Sequence, residues 1–172
     1  TIILLTNASG SGIGTFLNTA NGAKTAVKDF TINFDNHTYI CTGPAVGSMG
    51  TQSQAFHLEW KGTGNENAKV TLKNGTISST ADSGVRMLVQ NYCDLTLDNM
   101  TLDGTNIGRG QYTLSNNCGN VTIQNCEIIA PENGFAFDSC DYANYTGVSV
   151  TVKGESEILG KIERTNPNGG EN

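Results

Sequence analysis

Val70-Thr71-Leu72-Lys73-Asn74 is one of five copies of a short pattern along this chain. The other copies are Ile32-Asn33-Phe34-Asp35-Asn36, Leu95-Thr96-Leu97-Asp98-Asn99, Val121-Thr122-Ile123-Gln124-Asn125 and Val150-Thr151-Val152-Lys153-Gly154. Apolar residues take the first and third positions and polar residues the second and fourth, which is the period of a strand with one buried face. The closing residues lie 38, 25, 26 and 29 residues apart. This recurrence predicts a solenoid of parallel strands.

Two further apolar runs accompany the copies. Those that follow the pattern are Thr38-Tyr39-Ile40, Thr76-Ile77-Ser78, Thr101-Leu102-Asp103, Glu127-Ile128-Ile129 and Glu157-Ile158-Leu159. Those that precede it are Ala55 to Trp60, Val85 to Val89, Tyr112 to Leu114 and Phe135 to Phe137. Three strands per coil predict an all-β fold, a single-stranded right-handed parallel β-helix of about six or seven coils.

The last position of the pattern predicts a structural ladder. It holds Asn36, Asn74, Asn99 and Asn125, with Gly154 replacing asparagine in the final copy. Asn and Gly accept a left-handed backbone, and a buried Asn amide can bond the amides above and below it in a stack. We therefore interpret this column as structural rather than catalytic.

The length of 172 residues fits one domain. Within it we expect a first coil or cap at residues 1–29, regular coils at 30–163 and a polar tail at 164–172. The strand-like opening at Thr1 to Leu5 indicates a processed product or a piece of a longer protein, with flanking domains or subunits at the solenoid ends.

Composition excludes several partners. The chain has 21 glycines, three prolines and 37% hydrophobic residues, which favours short strands and tight turns over helices. Ten basic and 16 acidic side chains give a net charge of −6, without the basic cluster that nucleic acid requires. The chain has no apolar run of membrane-spanning length and no signal-peptide pattern at its start, so we expect no membrane insertion.

The five cysteines suggest buried thiols rather than a disulfide framework. Cys93, Cys118 and Cys140 follow comparable runs, so we expect them to stack at one corner, where the strand spacing also permits one disulfide between neighbours. Their spacing relative to His37 and His57 suits neither zinc nor thiol catalysis. We expect no metal and no cofactor.

Aromatic residues near turns and loops are the candidate ligand-binding residues. Sugars stack on exposed rings, and Trp60, Tyr92, Tyr142 and Tyr145 occupy positions where they could form such a platform. The alternative interpretation is that these rings cover the corners of coils and pack against their neighbours.

The stretch from Phe30 to Glu163 resembles the right-handed parallel β-helices of the pectate-lyase-like superfamily. More narrowly, it is similar to adhesive-type modules of surface proteins of gut Firmicutes and of their phages. The segments that carry this likeness are Gly43-Pro44-Ala45-Val46-Gly47-Ser48, Lys73-Asn74-Gly75-Thr76-Ile77, Leu88-Val89-Gln90-Asn91-Tyr92 and Tyr112-Thr113-Leu114-Ser115-Asn116-Asn117. The resemblance implies a fold more strongly than an activity. The catalytic motifs of polygalacturonase-like members, such as Gly-His-Gly and Arg-Ile-Lys, do not occur.

We accordingly expect a non-catalytic, extracellular or virion-displayed module for adhesion, glycan binding or spacing, with no catalytic residue. Two alternatives stay open. One is a polysaccharide lyase or glycoside hydrolase, for which Arg86 with Asp82 and Asp94, or a pair of carboxylates elsewhere, would supply the chemistry. The other is an oligomeric phage fibre element.

Overall fold

The computed structural model describes residues 1–18, 24–26, 29–47, 53–58, 68–117, 119–140 and 148–165, with backbone alone for 16–18 and 24–26. Within these ranges the structure consists of strands and turns without a helix. The strands are β1 (Ile2–Ile3), β2 (Ala8–Gly10), β3 (Ile13–Gly14), β4 (Phe16–Asn18), β5 (Lys24–Ala26), β6 (Asp29–Cys41), β7 (Gln54–Leu58), β8 (Lys69–Ser79), β9 (Met87–Asn91), β10 (Asp94–Asp103), β11 (Tyr112–Asn116), β12 (Asn120–Gln124), β13 (Glu127–Ile129), β14 (Phe135–Cys140), β15 (Ser149–Lys153), β16 (Glu157–Leu159) and β17 (Lys161–Thr165).

Parallel strands stack into a solenoid, which confirms the all-β class and the parallel solenoid predicted from the repeats. One sheet follows the order β1-β6-β8-β10-β12-β15, with β2, β13 and β16 beside this path. The second sheet follows the order β3-β7-β9-β11-β14-β17. Within these two sheets, each inner strand therefore pairs with a strand one coil earlier and a strand one coil later, as expected when the backbone winds around one axis.

The solenoid has about four turns, so the prediction of six or seven coils was wrong. The regular path climbs from β6 through β8, β10 and β12 to β15. The 38-residue interval between Asn36 and Asn74 had room for an additional turn, but β6 pairs directly with β8. At the start of the chain, β1, β2 and β3 are only two or three residues long.

Each coil bends at a left-handed residue. The φ angles are 64° at Asn36, 58° at Asn74, 54° at Asn99, 52° at Asn125 and 66° at Gly154. Asparagine tolerates this region better than other residues with a Cβ, and glycine tolerates it freely. The bend separates a first face from a second face: β10 pairs with β12 before Asn99 and with β13 after it. The second sheet forms the third face.

The core lies inside these three faces as columns of apolar side chains, one residue per coil. The three main columns, each residue at most 5% exposed, are Ile32, Leu72, Leu97 and Ile123 on the first face, Ile77, Leu102 and Ile128 on the second, and Phe56, Val89, Leu114 and Phe137 on the third. Burying apolar side chains in this continuous column supplies most of the favourable free energy of the fold.

Residues 1–29, expected to form a first coil or cap, contain short strands of two kinds. The strands β1 and β2 pair in parallel with β6, and β3 pairs with β7. The strands β4 and β5 instead form an antiparallel pair with each other. The parallel register of the solenoid thus extends to the beginning of the chain.

Candidate functional site

A column of polar residues runs along the third face. It consists, in register from coil to coil, of His57, Gln90, Ser115, Asp138 and Glu163. The first four are each at most 6% exposed. At the end of the column nearest the N-terminus, His57 Nδ1 lies 3.1 Å from Gln90 Oε1. Buried polar groups require hydrogen-bond partners, and here His57 bonds to Gln90 and Ser115 bonds to Asp138.

Asp138 is the most strongly perturbed carboxyl group of this column. Ser115 Oγ donates to its Oδ2 at 3.4 Å and Thr165 Oγ1 donates to its Oδ1 at 3.4 Å. Burial, together with the charge of Glu163, raises the pKa of Asp138 to about 6, although both hydroxyl bonds act in the opposite direction. Asp138 is therefore expected to change its protonation state near pH 6.

An aromatic stack lies beside the two carboxyl groups. The rings of Tyr112 and Phe135 are stacked, with centroids 5.2 Å apart and an interplanar angle of 19°. Lys161 Nζ lies 5.9 Å from the Phe135 centroid. Tyr112 Oη donates to Glu163 Oε2 at 3.1 Å. Burial and the Glu163 charge raise the pKa of Tyr112 to about 12, so the phenol retains its proton.

We call Tyr112, Phe135, Lys161 and Glu163, with the buried Asp138 next to them, the aromatic–acidic surface. Tyr112, Phe135 and Glu163 are partly exposed and Lys161 is exposed. Aromatic rings flanked by a phenol, an ammonium and a carboxylate can contact an apolar ring face while bonding polar groups at its rim. The same surface holds a carboxyl group that can donate or accept a proton near pH 6.

The predicted aromatic platform is only partly within the described residues. Trp60, Tyr142 and Tyr145 lie outside them. Tyr92 is partly buried at the lower part of the third face, with its ring centroid 5.4 Å from that of His57.

Sequence reasoning missed Tyr112 and Phe135 as a pair. A signal is present in the sequence, because Tyr112-Thr113-Leu114 and Phe135-Ala136-Phe137 align as successive strands of one face. In parallel strands, aligned positions become direct neighbours, so two aligned aromatic residues predict a stack.

Asparagines of the predicted ladder form hydrogen bonds between coils, but Asn33 rather than Asn36 is the partner of Asn74. Asn99 Nδ2 donates to Asn74 Oδ1 at 3.2 Å, and Asn74 Nδ2 donates to Asn33 Oδ1 at 3.0 Å. In the coil before Asn74, Asn33 bonds to Asn74 in place of the predicted Asn36. The reason is a bulge in β6: three residues separate Asn33 from His37, but only one residue separates their partners Lys73 and Gly75 in β8. This bulge, which includes Asn36, displaces the bend of β6 relative to Asn74.

At the upper end of this ladder Asn125 Oδ1 accepts the backbone N–H of Glu155 at 3.1 Å. A Cβ at position 154 would collide with the Asn125 amide, since Cγ would lie 3.0 Å away. Gly154 therefore serves both the left-handed turn and the close approach of Asn125.

A second asparagine ladder, which sequence analysis did not identify, closes the third face. Asn91 Nδ2 donates to Asn116 Oδ1 at 2.8 Å, and Asn116 Nδ2 donates to Ser139 Oγ at 3.3 Å. Both asparagines are fully buried. Asn91 also accepts the backbone N–H of Cys93 at 3.2 Å, so its side chain fixes the turn into the next coil.

The cysteines of the described ranges are all buried: Cys41, Cys93, Cys126 and Cys140. Cys118 of the predicted cysteine column lies outside these ranges. Burial, as the largest effect, raises the pKa values of Cys41 and Cys126, which keeps these two thiols protonated. Their environment is that of small core side chains rather than of nucleophiles.

Of Arg86, Asp82 and Asp94, the residues considered for lyase chemistry, Asp94 has a structural role. Arg86 and Asp82 are exposed, whereas Asp94 Oδ1 accepts the backbone N–H of Asn120 at 3.0 Å and its Nδ2 at 3.2 Å. Across the described part of the chain, no group of three His, Cys, Asp or Glu side chains is placed to hold a metal ion. Asp94 thus stabilises the turn of the next coil.

Comparison with protein-family models, curated proteins and solved structures found no match for this chain. In the residues that the structure describes there is also no helix of the length and apolarity needed to cross a membrane.

Proposed function

We propose that this chain is a non-catalytic, right-handed parallel β-helix module that binds glycans outside the cell, on a bacterial surface or on a phage particle. The right-handed sense is proposed because crossover connections between parallel strands are almost always right-handed. The resemblance to adhesive-type modules of the pectate-lyase-like superfamily favours adhesion or spacing as its wider role.

The observation that carries this proposal is the partly exposed stack of Tyr112 on Phe135. Sugars present apolar C–H faces to aromatic rings and hydroxyl groups to polar neighbours. Glu163 provides an acceptor beside the Tyr112 hydroxyl, and Lys161 provides a donor over the Phe135 ring. Since stacked strands support the surface, we expect it to change little on binding, which limits the entropic cost.

A glycan array with purified protein tests this proposal. Tyr112→Ala removes the ring, Tyr112→Phe keeps the ring and removes the bond to Glu163, and Thr122→Ala on the first face is the control. We expect Tyr112→Ala to weaken binding about 2- to 12-fold, as for one aromatic contact, and Thr122→Ala to bind as the wild type. Trp60→Ala tests the platform predicted from the sequence in the same way.

If the wild type retains no glycan, the binding role is wrong and the spacer role remains. If the wild type binds and Tyr112→Ala binds equally well, the aromatic–acidic surface is not the binding site.

A second candidate function is glycoside hydrolysis by Asp138 and Glu163. The observation that favours it is that these two carboxyl groups are register partners on neighbouring strands, with the pKa of Asp138 raised to about 6. Parallel strands lie about 4.8 Å apart, close to the roughly 5–5.5 Å that separates the carboxyl groups of retaining glycosidases. Against it, Asp138 is only 6% exposed.

Reducing-sugar release and absorbance of unsaturated products, on a panel of acidic and neutral polysaccharides, distinguish an enzyme from a binder. Activity that Asp138→Asn and Glu163→Gln both abolish would support the hydrolase. The oligomeric fibre element is a third role, and a strict trimer in light scattering would support it.

A further inference from the structure

The aromatic–acidic surface already holds an ammonium group over one of its rings. Phe135 pairs in register with Tyr112 of the preceding coil and with Lys161 of the following coil. One face of the Phe135 ring therefore stacks on Tyr112 and the other faces Lys161, whose Nζ lies 5.9 Å from the ring centroid. A cation is attracted to an aromatic ring face within roughly 6 Å of the centroid. The ring face next to Lys161 is thus a favourable place for an ammonium group.

A carboxylate with an unused acceptor lies beside this ring face. Glu163 comes two residues after Lys161 in β17, so the two side chains point to the same side of the strand. Tyr112 Oη donates to Glu163 Oε2, whereas Glu163 Oε1 makes no hydrogen bond within the described part of the chain. Since Glu163 is partly exposed, its Oε1 can accept a hydrogen bond from a ligand.

The negative charge of this surface is not balanced by basic side chains. Among the residues that the structure describes, neither Asp138 nor Glu163 forms an ion pair. Burial and then the charge of Glu163 raise the pKa of Asp138, and the effects that lower it are the hydroxyl bonds of Ser115 and Thr165. Above about pH 6 two carboxylates therefore stand against the one ammonium of Lys161. Such a surface favours a cationic ligand group over an anionic one.

We propose, on the basis of the glycan binding proposed above, that the aromatic–acidic surface binds an amino sugar whose nitrogen is not acetylated. The ammonium of the sugar displaces Lys161 Nζ from the Phe135 face and donates to Glu163 Oε1, while C–H groups of the same sugar contact the ring. Lys161 is exposed, and exposed cation–π contacts are weak, so its side chain moves into water at little cost. Lys161 then competes with the ligand instead of donating to it.

Other classes of sugar fit this surface less well. A uronic acid would bring a third carboxylate next to Asp138 and Glu163, with Lys161 alone to balance it. An N-acetylated sugar keeps the C–H groups, but its neutral amide forms a weaker hydrogen bond with a carboxylate than an ammonium does.

Isothermal titration calorimetry with three oligosaccharides of equal length tests the class of sugar. They are oligomers of glucosamine, of N-acetylglucosamine and of galacturonic acid, measured at a pH at which the glucosamine nitrogen is protonated. We expect the wild type to bind the glucosamine oligomer at least about tenfold more tightly than the N-acetylated oligomer. The galacturonic acid oligomer should bind more weakly still.

Two pairs of variants locate the ammonium of the ligand. Glu163→Gln should weaken binding of the glucosamine oligomer about tenfold and change binding of the N-acetylated oligomer little. Glu157→Gln removes the same charge from the second face, where β16 pairs with β13, and should bind as the wild type. Lys161→Gln should strengthen binding of the glucosamine oligomer about 2- to 5-fold, because the competing ammonium is gone. Lys153→Gln, in β15 on the first face, is its control and should have little effect.

Equal or tighter binding of the N-acetylated or the galacturonic acid oligomer by the wild type overturns this proposal. Weaker binding of the glucosamine oligomer by Lys161→Gln also overturns it, as do equal effects of Glu163→Gln and Glu157→Gln. If Tyr112→Ala abolishes binding of one of the other oligomers, glycan binding at this surface stands and only the class of sugar is wrong. If the wild type binds none of the three, the amino-sugar proposal is wrong, and the glycan array decides whether glycan binding stands. Circular dichroism checks that each variant is folded.

Discussion

Asp138→Asn should make the protein more stable at neutral pH and should remove most of a pH dependence that the wild type shows. The pKa of Asp138 is raised from 3.8 to about 6 in the folded chain. Because the folded state then holds a proton that the unfolded state releases, the favourable contribution is complete below about pH 3.8 and is lost as the pH rises through 6. A raised carboxyl pKa therefore lowers stability toward alkaline pH.

The size of the effect follows from the shift. About two pKa units correspond to about 3 kcal/mol between the two limits. Asp138 is 6% exposed, so solvent screening removes little of this value. Asparagine has nearly the same shape and carries no charge beside Glu163. Its oxygen accepts from one of the hydroxyls of Ser115 and Thr165, and its Nδ2 can donate to the other. We expect the free energy of unfolding of Asp138→Asn, relative to wild type, to rise by about 1–3 kcal/mol between pH 4 and pH 8.

Urea unfolding followed by circular dichroism at several pH values measures this difference. Glu132→Gln is the control, because Glu132 is an exposed carboxylate whose contact with Arg109, at 3.5 Å, is also exposed. Its stability relative to wild type should change little with pH, since exposed ion pairs contribute about 0–1 kcal/mol. If the curve for Asp138→Asn runs parallel to that of the wild type from pH 4 to pH 8, the described burial of Asp138 is wrong.

Two further substitutions test the turns between coils by thermal or urea unfolding. Gly119→Ala should lower the free energy of unfolding by at least about 2–3 kcal/mol, because φ is +89° and a Cβ would collide with the Cys93 carbonyl. Gly110→Ala is the control: φ is +70° but the space around it is open, so we expect a loss of about 1–2 kcal/mol. Equal losses would contradict the collision at Gly119. Asn91→Ala should cost about 2–4 kcal/mol because it leaves buried partners unsatisfied. Asn99→Ala should cost about 1–2 kcal/mol, from the loss of an exposed hydrogen bond and from placing alanine at a positive φ. The reverse order would refute the importance assigned to the second ladder.

Much of the fold follows from local pattern. The alternation in Val70 to Asn74 predicts both the strand and its buried side, because successive side chains of a strand point in opposite directions. Asn74 and Asn99 occupy the bend for an equally local reason, since few residues accept a positive φ. The error in the coil count arose in the interval from Asn36 to Asn74, where length alone does not specify whether the backbone completes a turn or forms a long connection.

The candidate site was less predictable than the fold. Asp138 and Glu163 lie in strands of the same face, yet their alignment depends on a bulge between Phe135 and Phe137. A shift of one residue would have moved Glu163 away from Asp138. No pattern in the sequence specifies such a bulge, so the acidic pair could be identified only from the register.

The alternating residues of each repeat determine the strands, the bends and the apolar columns, because these depend on backbone geometry within a few residues. Only the stacked structure decides that Tyr112 lies on Phe135 and that Asp138 is buried beside Glu163. Those contacts join residues more than 20 positions apart, and the pKa of Asp138 depends on how completely the neighbouring coils remove water from its carboxyl group.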